Sequence, residues 1–163
     1  MNLVLDSSSS INLYNGNMFE TVLDLTVGGF CFYMGTIVRG ECGNLATFIE
    51  EQVSKGRIII LHGKSLTPTE FSRVLLLYGL GLGETECIVH AEHQSFSVCT
   101  DDNAARRATD THLGPGRVLG SLTLIRECVC RKKITADAAY IAYESMKAKG
   151  AFLPQISLTY FVC

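Results

Sequence analysis

Two short apolar runs break off at carboxylates, and this pattern narrows the folds open to the chain more than any other. Leu3-Val4-Leu5 stops at Asp6 and four serines, while Phe96-Ser97-Val98-Cys99 stops at Thr100-Asp101-Asp102. Apolar runs of this length read as buried strands, each with an acid at its carboxyl end. Between them the hydrophobic period keeps switching. Phe19, Val22 and Leu23 have helical spacing within residues 17–25, and Gly28-Gly29 then precedes the strand-like Phe30-Cys31-Phe32-Tyr33. Residues 36–41 and 44–53 read as helices, the first weakened by Gly35, Gly40 and Gly43, and residues 57–61 as a strand. Thr67-Pro68-Thr69-Glu70 puts a cap, a first-turn proline and a first-turn acid in the preferred order, which predicts a helix from Pro68 to Tyr78.

Further helices are expected from Glu84 through Glu92, from Asn103 through Thr109, over 122–131 and over 135–149, where Gly150 stops the last. Val118-Leu119 reads as a short strand. Strands that alternate with helices predict an α/β fold, a mainly parallel sheet with helices on both faces. A length of 163 residues with 47% hydrophobic content fits one domain spanning 1–163 that buries its core without disulfide staples.

Such a sheet brings distant acids to one edge: Asp6, Glu84, Glu86, Asp101 and Asp102 each sit where an apolar run ends or a helical run begins. Clustered carboxylates repel one another unless a cation lies between them, and oxygen-only ligand sets suit magnesium or manganese. The chemistry this points to is metal-assisted phosphodiester cleavage, with no protein nucleophile. No Ser-His-Asp or Cys-His arrangement competes with it. Hydroxyls beside the acids, Ser8 and Thr100, are placed to orient a carboxylate.

Each feature also has a plainer reading. Asp6 and Asp102 are good helix caps, and Glu84 and Glu86 in a first turn favour the positive end of a helix dipole. His90 and His93 share a helix with Glu86 and outline a Glu-His-His face, but a surface or a polar contact accounts for them as well. The stripe Phe71, Val74, Leu75 and Tyr78 has core spacing, and Gly79 to Gly83 lacks a P-loop lysine and reads as a flexible lip of the acidic site. Arg106 either touches RNA phosphate or faces solvent, and Arg131-Lys132-Lys133 reads as a solvated helix end.

A net charge of −2 excludes the broad basic footprint of a protein that holds nucleic acid by counterion release alone, so any RNA contact is local. Seven cysteines, odd in number and without a C-x-x-C pair, read as reduced thiols. The start lacks the pattern of a signal peptide, and no stretch reaches the ~18 apolar residues of a membrane span. A cytoplasmic protein is expected.

Leu5-Asp6-Ser7-Ser8, Gly81-Leu82-Gly83-Glu84-Thr85-Glu86-Cys87-Ile88 and Thr100-Asp101-Asp102-Asn103-Ala104-Ala105-Arg106 together resemble PIN-domain proteins, in the branch related to toxin ribonucleases of toxin–antitoxin pairs. Gly120-Ser121-Leu122, Lys147-Ala148-Lys149-Gly150 and Phe152-Leu153 extend the resemblance over nearly the whole chain. It implies a Rossmann-like three-layer α/β/α sandwich and a Mg²⁺- or Mn²⁺-dependent endoribonuclease, with an antitoxin protein as partner and a homodimer as the usual assembly. By the same resemblance Asp6, Glu86 and Asp102 are the principal catalytic and metal-binding acids, and Glu84 and Asp101 are additional metal ligands. Val38-Arg39-Gly40-Glu41 matches the pattern of the remaining acid, with Glu50 and Glu51 as alternatives to Glu41. The contrasting expectation is a PIN-like module that binds nucleic acid or protein without catalysis.

Overall fold

The computed structural model describes residues 1–63 and 66–163. Its centre is a five-stranded, wholly parallel sheet in the order β3-β2-β1-β4-β5, formed by β1 (Asn2–Leu5), β2 (Cys31–Gly35), β3 (Ile58–Leu61), β4 (Ser97–Cys99) and β5 (Val118–Leu119). Winding starts at the middle strand, runs outward through β2 and β3, then returns to the other side of β1. The reversal leaves a crevice beyond the carboxyl ends of β1 and β4, where ligands of open α/β sheets bind. Leu3, Val4 and Leu5 are fully buried, as a central strand covered on both faces requires.

Helices cover the two faces. On one, α6 (Leu82–Gln94) lies across β1, β2 and β4 and packs against α3 (Thr36–Glu41), α5 (Pro68–Tyr78) and α7 (Asn103–Leu113). On the other, α1 (Ser7–Asn15) packs against α2 (Phe19–Leu23), α8 (Ser121–Cys130) and α9 (Ala136–Ala148), while α4 (Ala46–Ser54) leads into β3. The result is the expected Rossmann-like three-layer sandwich. Most of the buried apolar side chains form one core, and a smaller cluster of Val74, Ile88, Val89 and Ala108 lies under α5, α6 and α7.

Local signals explain most helix starts. Thr67 accepts from Glu70 N at 3.2 Å with Pro68 in the first turn of α5, and Thr135 accepts from Ala138 N at 3.2 Å to start α9. For helix α1 the capping reading of Asp6 holds, and regular helix begins at Ser7, directly on it. Serine is a poor helix former, but burial decides here: Ser9 Oγ lies 3.1 Å from Asp6 O and 2.8 Å from Cys99 O, tying the helix to β4. Among the described residues no single helix is long and apolar enough to cross a membrane.

The thiol expectation needs correction. Cys130 and Cys163 form a disulfide, and Cys31, Cys42, Cys87, Cys99 and Cys128 are free. The pairing joins the end of α8 to a carboxyl-terminal segment that folds back over α8 and α9, so no local spacing announces it. The buried Phe161 and a hydrogen bond of 3.0 Å from Tyr143 Oη to Pro154 O hold the same segment.

Closing a loop of 33 residues removes unfolded-state entropy worth about 3–4 kcal/mol in the chain-entropy model. Cys163→Ser, or thiol reductant on the wild type, should therefore lower the thermal midpoint by on the order of 10 °C in a scanning melt. A midpoint unchanged by either treatment would mean that the buried Phe161 alone fixes the segment.

Candidate functional site

Parallel register places the first acid. Leu5 pairs with Cys99, and Asp6 N donates to Cys99 O at 2.9 Å, so Asp6 and Thr100 leave the sheet side by side. Asp6 caps α1 and is 1% exposed. Its Oδ2 accepts from Ser8 Oγ at 2.6 Å, Thr100 Oγ1 at 2.8 Å and Ser8 N at 3.3 Å. The hydroxyls act as relays: Ser8 Oγ accepts from Asp101 N at 3.1 Å and Thr100 Oγ1 from Asp102 N at 3.2 Å. Asp6 Oδ1 is buried and has no hydrogen-bond partner among the described residues.

Glu86 and Glu41 connect α3 and α6 reciprocally. Glu86 Oε2 accepts from Ile37 N at 2.9 Å and Val38 N at 3.1 Å, and its Oε1 from Thr36 Oγ1 at 3.2 Å, so the carboxylate sits on the amino end of α3. Glu41, at the other end of α3, accepts from Gly83 N in the first turn of α6 at 3.1 Å. Both contacts require glycine at the approach. A Cβ on Gly35 would overlap Glu86 Oε2, and one on Gly83 would overlap Glu41 Oε2. Gly83 therefore belongs to the packed start of α6, correcting its expected place in a flexible lip. Gly40 and Gly43 face open space, and their cost to the helix is one of propensity alone.

The remaining acids divide by what they bind. Glu84 reaches back to Gly81 N at 2.6 Å across the first turn of α6. Asp102 caps α7 through Ala105 N at 2.8 Å and leaves its second oxygen without a hydrogen bond among the described residues. Asp101 is fully engaged: Oδ1 accepts from Ser121 N at 2.8 Å and Oδ2 from Asn12 Nδ2 at 2.8 Å, so it joins β4, α8 and α1. Glu50 and Glu51 lie away from this edge on α4, paired with Arg39 and Lys55. Glu41 is thus the acid that α3 delivers to the edge. Asn12 and the role of the paired glycines escaped the sequence reading; an asparagine six residues past a strand-end acid was the available clue.

Electrostatics link the group. Burial pushes the Asp6 carboxyl above its ordinary value, against the pull of the Ser8 and Thr100 hydroxyls. Burial also raises Glu86, opposed by the Val38 and Ile37 amides. Glu84 is raised by burial first, held down by the Gly81 amide, then raised again by the charges of Asp6, Asp102 and Glu41. Four carboxylates therefore share one field. Even so, no three His, Cys, Asp or Glu side chains among the described residues stand close enough to hold one ion together.

The histidines do not join them. His93 pairs with Glu70 at 3.2 Å, and His112 on α7 pairs with Glu92 at 3.0 Å beside Tyr78. His90 is fully buried, neither ring nitrogen has a partner among the described residues, and burial pulls its pKa down to about 4. Arg106 Nη1 donates to Thr100 O at 3.1 Å, which holds its guanidinium at the acid edge.

No family model matches the chain, and no curated protein is similar to it. Among solved structures it is similar to the crystal structure of PAE2754 from Pyrobaculum aerophilum, with a TM-score of 0.57 and 16% identity over 80% of this chain and 90% of that one. At this identity the likeness is one of fold.

Two outcomes are expected from the geometry. Gly35 has ordinary extended backbone, so Gly35→Ala acts only through the clash with Glu86. It should cost about 1–3 kcal/mol in denaturant unfolding, and clearly less in a Glu86→Ala background. The second concerns pH. A carboxyl with a raised folded-state pKa binds its proton more tightly when folded, so its favourable contribution is full at low pH. That contribution is lost as pH rises past the unfolded value of 3.8 and through the folded one. Asp6→Asn should gain stability relative to wild type as pH rises from acid to neutral; a variant that loses stability relative to wild type over this range would contradict the burial argument.

Proposed function

We propose that the chain is a metal-dependent endoribonuclease of PIN type, with Asp6, Asp102, Glu41 and Glu86 as the catalytic acids. The observation that carries the reading is Asp6: a buried carboxylate with one oxygen unpartnered, at the switch point of a parallel sheet, whose charge reaches Glu84 together with those of Asp102 and Glu41. An unpaired buried charge is costly, and a hard dication is the partner this oxygen-only donor set suits. Asp6 and Asp102 would hold Mg²⁺ or Mn²⁺, with Glu41 and Glu84 adding negative charge from the end of α3 and the first turn of α6. Glu86 acts from the amino end of α3, and Asp101 supports the site by fixing the turn after β4. When bound, such an ion supplies a water of lowered pKa and positive charge for the developing phosphate.

The protein's own groups have definite tasks in this scheme. Ser8 and Thr100 hold the Asp6 carboxylate by occupying Oδ2, which leaves the buried Oδ1 as its unpartnered donor atom. Arg106, partly exposed beside Asp101, is placed to meet an RNA phosphate. The toxin-like role, an antitoxin partner, homodimer formation and a cytoplasmic location belong to the same proposal, and the exposed Leu76, Leu77 and Leu82 support a protein-binding face. The competing reading, a non-catalytic binding module, draws support from the amides that already occupy Glu86, Glu41 and Asp101.

Thermal unfolding with millimolar Mn²⁺ separates the two, since a ligand of the folded state raises its midpoint. The wild type should shift upward and Asp6→Asn should not. RNA cleavage should require added Mg²⁺ or Mn²⁺ and should fall at least about a hundredfold in Asp6→Asn and in Asp102→Asn, each still folded. Absence of a shift in the wild type would favour the binding module.

A further inference from the structure

Phe152 stands in solvent, 86% exposed, on the segment after α9. It is also the shared wall of two clefts. On one side lies a cleft of about 280 Å³ lined by Asp101, Arg106, Gly120 and Tyr160. The other, of about 470 Å³, is lined by Ser8, Asn12, Asp102 and Arg107 and opens on the acid edge. Beyond the first cleft the Arg126 guanidinium lies 5.8 Å from the centre of the Tyr160 ring. Arginine and aromatic side chains therefore alternate along one track: Arg107, Phe152, Arg106, Tyr160, Arg126. None of the three arginines forms an ion pair among the described residues.

We infer that this track is a binding subsite for single-stranded RNA, in which unpaired bases stack on Phe152 and the arginines hold the flanking phosphates. The inference rests on the nuclease reading and deepens it, because the track ends at Asp102 and Ser8. An exposed ring between two clefts suits splayed bases, which stack on aromatic faces when they are not paired. The positive charges are local, as a chain of net charge −2 requires if it is to hold a polyanion at all. The segment that carries the platform is anchored: Gly150 turns the chain with φ of 93°, and the Tyr143–Pro154 bond, buried Phe161 and the Cys130–Cys163 bridge tie down the carboxyl-terminal residues beyond Phe152.

The chain contains no tryptophan, so Phe152→Trp introduces a single reporter at the platform. With EDTA present to prevent cleavage, unstructured oligouridylate should quench its fluorescence and a duplex RNA should not. In anisotropy titrations Phe152→Ala should weaken oligouridylate binding about tenfold, or roughly 1.4 kcal/mol. Arg106→Ala should weaken it and reduce the slope of log affinity against log salt by about 0.7. Oligouridylate that binds Phe152→Ala as tightly as wild type and leaves the fluorescence of Phe152→Trp unchanged overturns the subsite and leaves the nuclease reading standing. Equal quenching by duplex overturns the single-strand assignment. Wild type that binds no RNA overturns the subsite and the ribonuclease reading together, and a retained Mn²⁺ shift then shows that the metal site survives them.

Discussion

A carboxylate removed from water costs several kcal/mol unless donors surround it, and Asp6 is surrounded on one oxygen only. Oδ2 gathers the Ser8 and Thr100 hydroxyls, and these in turn take the amides of Asp101 and Asp102. Five residues from two strand ends ninety positions apart in sequence are thereby locked into one turn. The lock depends on the parallel pairing of Leu5 with Cys99. A slip of one residue would move Asp6 away from Thr100 and reverse which side chains of β1 face each helical layer. The geometry of the acid edge is thus set by the sheet.

The other carboxylates reach the same edge by holding helices together. Glu86 of α6 occupies the amino end of α3, and Glu41 of α3 occupies the first turn of α6. Each satisfies backbone donors that a helix start leaves unpaired, so a capping role and a role in an acidic site are served by the same group. Bonds of this kind orient an acid without neutralising the field it creates: Glu84 is pushed up by burial first and then by the charges of Asp6, Asp102 and Glu41.

Much of this was legible in the amino-acid order. Apolar runs that stop at Asp6 and at Asp101-Asp102 identified strands and their carboxyl ends, and Thr67-Pro68 and Thr135 located helix starts, because these signals act within a few residues. The start of α1 was less legible, since serines favour helix only after burial and contacts to Cys99 absorb their hydroxyls. The choice among Glu41, Glu50 and Glu51 was open for a similar reason. Spacing along the chain cannot distinguish the acid opposite Gly83 from two that meet Arg39 and Lys55 on the surface.

What the sequence by itself determined is the class of fold, the position of each strand end and the identity of the acids there, because period and capping are local properties. Only the tertiary structure decided which oxygen of Asp6 is left unpartnered, that Asp101 is consumed by Ser121 and Asn12, and that Cys163 returns to Cys130. These depend on strand register, on close approaches at Gly35 and Gly83, and on a carboxyl-terminal segment crossing two helices. Such contacts join residues far apart in the chain, and a linear pattern carries no record of the distance between them.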